Sequence, residues 1–165
     1  MKVADLLDEH GLEWFKGSAI FFGISWGLAA ALLIYLDPVI ANIILAMNLA
    51  FLIRGNIDYT NHALAVVVIV LSFVYFSQPT SSILLGFTLV FLILGTLRDK
   101  DREILQKYNS TFLRFLFYNG MQLVYGLPAL IYSIFYGSWN IFWVFFLFAA
   151  SYDLTKHIGR KKGYK

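Results

Sequence analysis

Gly55-Asn-Ile-Asp58-Tyr-Thr60-Asn-His62 is a short polar island between two apolar runs, at about 38–53 and 63–77. Neither run contains Asp, Glu, Lys, Arg or His. A charged side chain at the centre of a bilayer costs roughly 2.5–3.5 kcal/mol on insertion scales, so such runs are typical of membrane-spanning helices. The island is then the polar loop that joins two of them.

Further apolar segments repeat this pattern on both sides of the island. The segments lie at about 17–36, 38–53, 63–77, 82–97, 111–136, and from the turn at 137–140 to about 152. We therefore predict an all-α polytopic membrane protein with six transmembrane helices in three hairpins, forming a single integral membrane domain over residues 1–165. Residues 1–16 and 98–110 are predicted to form short interfacial helices, and 153–165 to form a basic tail.

The composition agrees with a membrane protein. Hydrophobic residues make up 59% of the chain and charged residues 14%, against about 25% charged in a soluble domain. The absence of cysteine excludes disulfides and thiolate chemistry. No Walker loop, dinucleotide fingerprint, nucleophile elbow or HExxH motif is present, so no familiar soluble enzyme class is indicated.

The distribution of basic residues predicts the orientation. With six spans, all thirteen Lys and Arg residues fall in the termini and in the loops on the same side as the termini. The positive-inside rule places that side in the cytoplasm, so both termini of this cell-membrane protein are predicted to be cytoplasmic. The basic tail suits anionic membrane lipids as a partner rather than nucleic acid.

Three polar islands on the cytoplasmic side, at 55–62, 99–103 and 153–157, are the candidate site. Each pairs an acid with a second metal-ligating side chain four residues later, at positions that share one face of a helix. If the islands converge, they would bind a divalent metal, with Mg²⁺ or Mn²⁺ as the cofactor. The predicted metal ligands are Asp58, His62, Asp99, Glu103, Asp153 and His157.

Basic residues between these acids predict a phosphate-binding role. Arg98, Arg102 and Lys156 are the candidate phosphate contacts, and Arg54 and Arg160 lie in the same regions. Guanidinium and ammonium groups bind phosphate through charge-assisted hydrogen bonds. One hypothesis is therefore a metal-dependent enzyme or binder that acts on an anionic lipid or isoprenoid phosphate at the cytoplasmic face.

The alternative hypothesis is a non-enzymatic subunit of a membrane complex, or a small transporter or channel. The islands would then be helix caps and surface ion pairs. Asn119 and Gln122 would line a cytoplasm-facing cavity or hydrogen-bond between helices. The small residues Gly23, Gly27 and Ala31 suit close helix packing, within the chain or in a homo-oligomer or larger complex. The sequence alone does not choose between these functions.

Overall fold

The computed structural model describes residues 3–4, 7, 14–57, 59–100, 104, 110–111 and 120–161 of this chain, and these are helical with no strand. The predicted all-α class is confirmed. Most of the described residues belong to six helices and one π-helical turn. They are α1 (Ser18–Leu36), α2 (Pro38–Ile53), α3 (Thr60–Phe76), α4 (Ser81–Asp99), the π-helical turn (Gln122–Gly126), α5 (Leu127–Tyr136) and α6 (Trp139–Lys161).

The helices alternate in direction, so the bundle has two distinct ends. One end carries Arg54, Asp99 and Asp153, and we call it the charged end. The other, the opposite end, carries the turns at Asp37 and Asn140. The helices α2 and α4 end at the charged end, and α3 and the π-helical turn begin there.

The helix α2 forms the centre of the bundle. It is buried over most of its length, with Ile43, Ala46 and Met47 almost inaccessible to solvent. Phe91 of α4 and Tyr125 of the π-helical turn pack in the same core, their rings 5.0 Å apart. Because this helix has apolar residues on all sides, it can lie inside the bundle with neighbours all around it.

The small residues of α1 pack within the chain. A Cβ atom added to Gly23 would lie 2.8 Å from the backbone oxygen of Asn61 on α3. One added to Gly27 would lie 3.2 Å from the Cα atom of Ala65, one turn further along α3. The two helices therefore run in parallel at a separation that only glycine permits. These two glycines serve an internal contact, which is the first of the two uses predicted for them.

Side-chain hydrogen bonds fasten the opposite end. Asp37 caps α2 by accepting from the backbone N–H groups of Val39 at 2.8 Å and Ile40 at 3.1 Å. Its second oxygen accepts from the Asn140 amide of α6 at 2.7 Å. Such a cap satisfies N–H groups that the first turn of a helix leaves without partners. The Asp37-Pro38 start predicted for this helix is thus present.

Buried Asn42 joins α2 to the turn that precedes α4. Its amide donates to the Gln78 carbonyl at 3.1 Å and to the Pro38 carbonyl at 2.8 Å. Its oxygen accepts from the Thr80 backbone N–H at 2.7 Å. The side chain is therefore fully paired, as burial of an amide requires.

The outward faces of the bundle are apolar. Val74 and Tyr75 on α3 are 75% and 82% exposed, and Phe135 on α5 is 79% exposed. The helices α1 and α4 are long and apolar enough to cross a membrane, whereas α2, α3 and residues 122–136 are apolar but shorter. Membrane association is therefore supported by two helices, and the six-span topology stays a prediction.

Candidate functional site

At the charged end, an ion pair joins Arg54, which directly precedes the first island, to Asp99 of the second island. Arg54 donates to Asp99 Oδ2 from Nη2 at 2.6 Å and from Nε at 3.0 Å. The arginine side chain is 6% exposed and the aspartate 37% exposed. The guanidinium lies 5.7 Å from the centre of the Phe51 ring and directly over Gly95 of α4. Only a glycine leaves room for it there, so α2 and α4 are joined by a buried arginine.

Arg98 lies between the second and third islands. Its guanidinium is 3.5 Å from Asp99 Oδ1, and its Nη1 lies 2.7 Å from the Met121 sulfur. Its stem packs on Gly120, where an added Cβ would lie 3.1 Å from the arginine Cγ. The 3.5 Å separation from Asp99 is long for a charge-assisted hydrogen bond. Of the arginines at the charged end that the structure describes, this one is the less tightly paired.

Asp153 of the third island binds the start of the π-helical turn. Its Oδ2 accepts from the Gln122 backbone N–H at 3.4 Å. Burial raises the pKa of this carboxyl, and hydrogen bonds from Met121 and Gln122 and the charges of Lys156 and Arg98 oppose the increase. Because Arg98 contacts Met121 and Asp153 contacts the adjacent Gln122, Asp99 and Asp153 lie at the same end of the bundle.

A polar cavity of about 180 Å³ lies beside these charges. Its walls come from α1, α2, α3, α4 and α6 and from the loop between α2 and α3. Its polar lining residues are Asn48, Asn56, Tyr59, His62, Arg98, Asp99 and Tyr152. The remaining lining is apolar and includes Trp26 and Phe51. A cavity with a cation, an imidazole and amides on apolar walls suits a small polar ligand group.

The described parts of the predicted site gather only partly. His62, Asp99 and Arg98 line the cavity, and Asn56 of the first island lies 3.5 Å from Asp99. Asp153 lies one residue beyond the cavity-lining Tyr152. Lys156 and His157 follow on α6, both half-buried. Asp58, Arg102, Glu103 and Asn119 lie outside the described residues, so their predicted roles stay predictions.

Gln122 makes the interhelical contact that was one of its two predicted uses. Its side-chain amide donates to the Phe146 carbonyl of α6 at 3.1 Å. The residue opens the π-helical turn, which ends two residues before Pro128. π-Helical turns often occur at functional sites, and this one presents its first backbone N–H to Asp153.

The predicted metal centre has no support among the described residues. Within them, no three His, Asp or Glu side chains are grouped closely enough to hold an ion. Asp99 Oδ2 accepts instead from Arg54 and Asn56. Two of the predicted ligands, Asp58 and Glu103, lie outside this part of the chain. A divalent metal therefore stays a prediction.

Several lining residues and the pairing of Arg54 with Asp99 were not predicted from the sequence. Trp26, Asn48 and Tyr152 line the cavity, and Arg54 is the main partner of Asp99. Asn48 had a signal, because an amide inside an apolar helix needs a partner or a cavity. The aromatic residues had none, since Trp and Tyr are common near helix ends in membrane proteins.

No protein family, curated protein or solved structure matches the chain. The fold and the site define an all-helical bundle with two helices able to cross a membrane and a polar cavity at its charged end. Chemically, the cavity offers the loosely paired Arg98 guanidinium, an imidazole and neutral hydrogen-bond donors, and its one carboxylate, Asp99, is paired with Arg54. These groups recognise an anion better than they assemble a hydrolytic centre.

Proposed function

We propose that this protein is a six-span membrane protein that binds the phosphate of an anionic lipid or isoprenoid in the polar cavity. The observation that carries the proposal is that Arg98 and His62, from separate polar islands, line one cavity at the charged end. By the positive-inside rule this end and both termini face the cytoplasm. The ligand phosphate would then lie at the depth of the lipid headgroups.

Dimensions and aromatic residues support a transmembrane placement. α1 has 19 residues, so at about 1.5 Å per residue it is about 28 Å long, close to the ~30 Å of a hydrocarbon core. Trp14 is 70% exposed near the charged end, and Tyr75 and Trp139 are 82% and 52% exposed at the opposite end. Exposed aromatic residues at two levels are typical of proteins anchored at both membrane surfaces.

The charge arrangement supports an anionic ligand. Arg54 is occupied by Asp99 through two short hydrogen bonds, whereas Arg98 holds the same carboxylate only at 3.5 Å. A phosphate at Arg98 would gain a charge-assisted hydrogen bond without breaking the tight pair. The Asn48 and Asn56 amides supply neutral donors in the same cavity. Arg98 is therefore the principal phosphate contact in this proposal.

A non-enzymatic subunit of a membrane complex is the second candidate. The observation that favours it is that Asp99 already accepts from Arg54 and Asn56, as a purely structural ion pair would. The large apolar outer faces also suit neighbouring subunits as well as lipid. This candidate predicts no saturable ligand and no effect of Arg98 beyond stability.

A thermal-shift titration distinguishes the two candidates. The detergent-purified protein is titrated with dioctanoyl phosphatidic acid and farnesyl phosphate, and in parallel with dioctanoylglycerol and farnesol, which lack the phosphate. Saturable stabilisation by the phosphates alone supports binding. Arg98→Gln should weaken it roughly tenfold to hundredfold, since a hydrogen bond to a charged group contributes about 1.5–3 kcal/mol.

Matched controls make the result specific. Lys100→Gln removes a cation two residues away that is exposed and lines no described cavity, so it should change the affinity little. Repeating the titration with EDTA and with added Mg²⁺ or Mn²⁺ tests the metal prediction separately. Equal affinity of the wild type and Arg98→Gln, or equal stabilisation by ligands with and without phosphate, contradicts the proposal.

A further inference from the structure

A second cavity adjoins the polar cavity on the side of α1 and α6. It measures about 390 Å³ and is lined by Leu147, Phe148, Ser151 and Thr155 of α6, with Val3 of the N-terminal segment. Trp26 of α1 and Tyr152 of α6 complete it. We call this cavity the α1–α6 groove.

The groove and the polar cavity share two walls. Trp26 and Tyr152 line both, so these two aromatic side chains separate the cavities. The Trp26 ring is stacked on Phe148, with ring centres 4.9 Å apart and an angle of 22° between the planes. The two side chains therefore form the shared boundary of the polar cavity and the groove.

The groove presents a mainly apolar surface although Ser151 and Thr155 carry hydroxyl groups. The Ser151 hydroxyl donates to the Leu147 carbonyl at 2.6 Å, and the Thr155 hydroxyl donates to the Ser151 carbonyl at 2.8 Å. Both donors are therefore satisfied within α6, and the side chains expose chiefly carbon to the groove. Hydrocarbon can lie against these two residues without leaving either hydroxyl donor unpaired.

The direction of the groove matches that of a lipid chain. Thr155 lies near the charged end and Leu147 lies eight residues back along α6, about 12 Å deeper at 1.5 Å per residue. The polar cavity lies beside the end of the α1–α6 groove that is nearer the charged end, and apolar side chains line the deeper end of the groove. An amphiphile with a charged head and a hydrocarbon chain complements this sequence of surfaces.

We propose that the hydrocarbon chain of the phosphorylated ligand lies in the α1–α6 groove while its phosphate lies in the polar cavity, so that the ligand enters sideways from the bilayer between Trp26 and Tyr152. This inference rests on the proposed function and narrows it. The substrate class is a membrane lipid phosphate, and a water-soluble phosphate is excluded as the main ligand. The occupant of the groove is a single lipid chain.

The test compares dioctanoyl phosphatidic acid with glycerol 3-phosphate, which carries the phosphate without the chains. The wild type should bind the lipid at least a hundredfold more tightly, because each buried methylene adds to the affinity. Ser151→Trp fills the groove and should weaken lipid binding at least tenfold while leaving the affinity for glycerol 3-phosphate unchanged. Leu147→Trp repeats the test about one turn deeper and serves if the first variant does not fold.

Ser25→Trp is the matched control. Ser25 is exposed on α1, makes the same type of hydroxyl bond to its own helix at 2.8 Å, and lines neither cavity. It should leave both affinities unchanged. Equal binding of the two ligands, or unchanged lipid binding by both groove variants, overturns the inference. Failure of both ligands to bind the wild type contradicts the proposed function itself, so the two failures are distinguishable.

Discussion

Replacing Gly95 with alanine should destabilise the wild type and stabilise a variant that lacks Arg54. Gly95 lies in α4, where the Arg54 guanidinium occupies the space that a Cβ would need. The methyl group would displace the end of the arginine side chain and break its two hydrogen bonds to Asp99. In an Arg54→Ala background nothing is displaced, and only the higher helix propensity of alanine remains.

The magnitude follows from the exposure of the pair. Breaking a fully buried ion pair costs about 3–5 kcal/mol and an exposed pair contributes roughly 0.2–1 kcal/mol. Because Arg54 is 6% exposed but Asp99 is 37% exposed, we expect about 1–2 kcal/mol for this pair. Alanine gains about 0.5–1 kcal/mol over glycine inside a helix. The net change is a loss of about 1 kcal/mol in the wild type and a gain of about 0.5–1 kcal/mol without the arginine.

The assay is equilibrium unfolding in mixed micelles, with the four proteins of the cycle measured under one condition. Gly86→Ala on the same helix is the control, because an added Cβ there meets nothing within 4 Å. It should stabilise both backgrounds equally. A Gly95→Ala effect of the same sign and size in both backgrounds refutes the assignment of Arg54 to this position.

Three further predictions concern other parts of the bundle. Gly23→Ala places a methyl group against the backbone of α3 and should destabilise by roughly 1–3 kcal/mol in the same unfolding assay. Asn42→Leu leaves the Thr80 N–H unpaired and should cost about 1–3 kcal/mol, with faster hydrogen exchange at Thr80; unchanged exchange contradicts this. Burial raises the pKa of Asp153 above its ordinary value of 3.8. The protonated carboxyl therefore favours the folded state below pH 3.8, and this contribution to stability is lost as the pH rises through the folded-state pKa. The stability of Asp153→Asn relative to the wild type should therefore fall on acidification. A difference in stability that does not vary with pH contradicts the raised pKa of Asp153.

The helices were largely predictable from the apolar runs. The predicted segment 38–53 coincides with α2, and α1, α3 and α4 begin and end within a few residues of their predictions. By contrast, α6 continues to Lys161, well beyond the predicted end near 152. An apolar run marks where burial in hydrocarbon ends, and a helix can continue past that point into polar residues. Hydrophobicity therefore located the helices better than their ends.

The sequence predicted some of the residues of the site but not how they pair. The sequence identified His62, Arg98, Asp99 and Asp153 as polar residues at one end of the bundle, because charges are confined to helix ends in a membrane protein. It did not indicate that Arg54 pairs with Asp99 over Gly95. That pairing depends on α2 and α4 being neighbours. Helical periodicity predicts which face of a helix is buried, but it does not predict which other helix packs against that face.

The hydrogen-bonded turns at the opposite end limit the routes by which a ligand could leave. The Asp37–Asn140 bond and the Asn42 bonds join helices that a passage through the bundle would have to separate. Release on that side would require these polar groups, of which Asn42 is buried, to lose their partners together. A molecule bound beside Arg98 would therefore leave by the same route by which it entered, so that a single opening would serve both uptake and release.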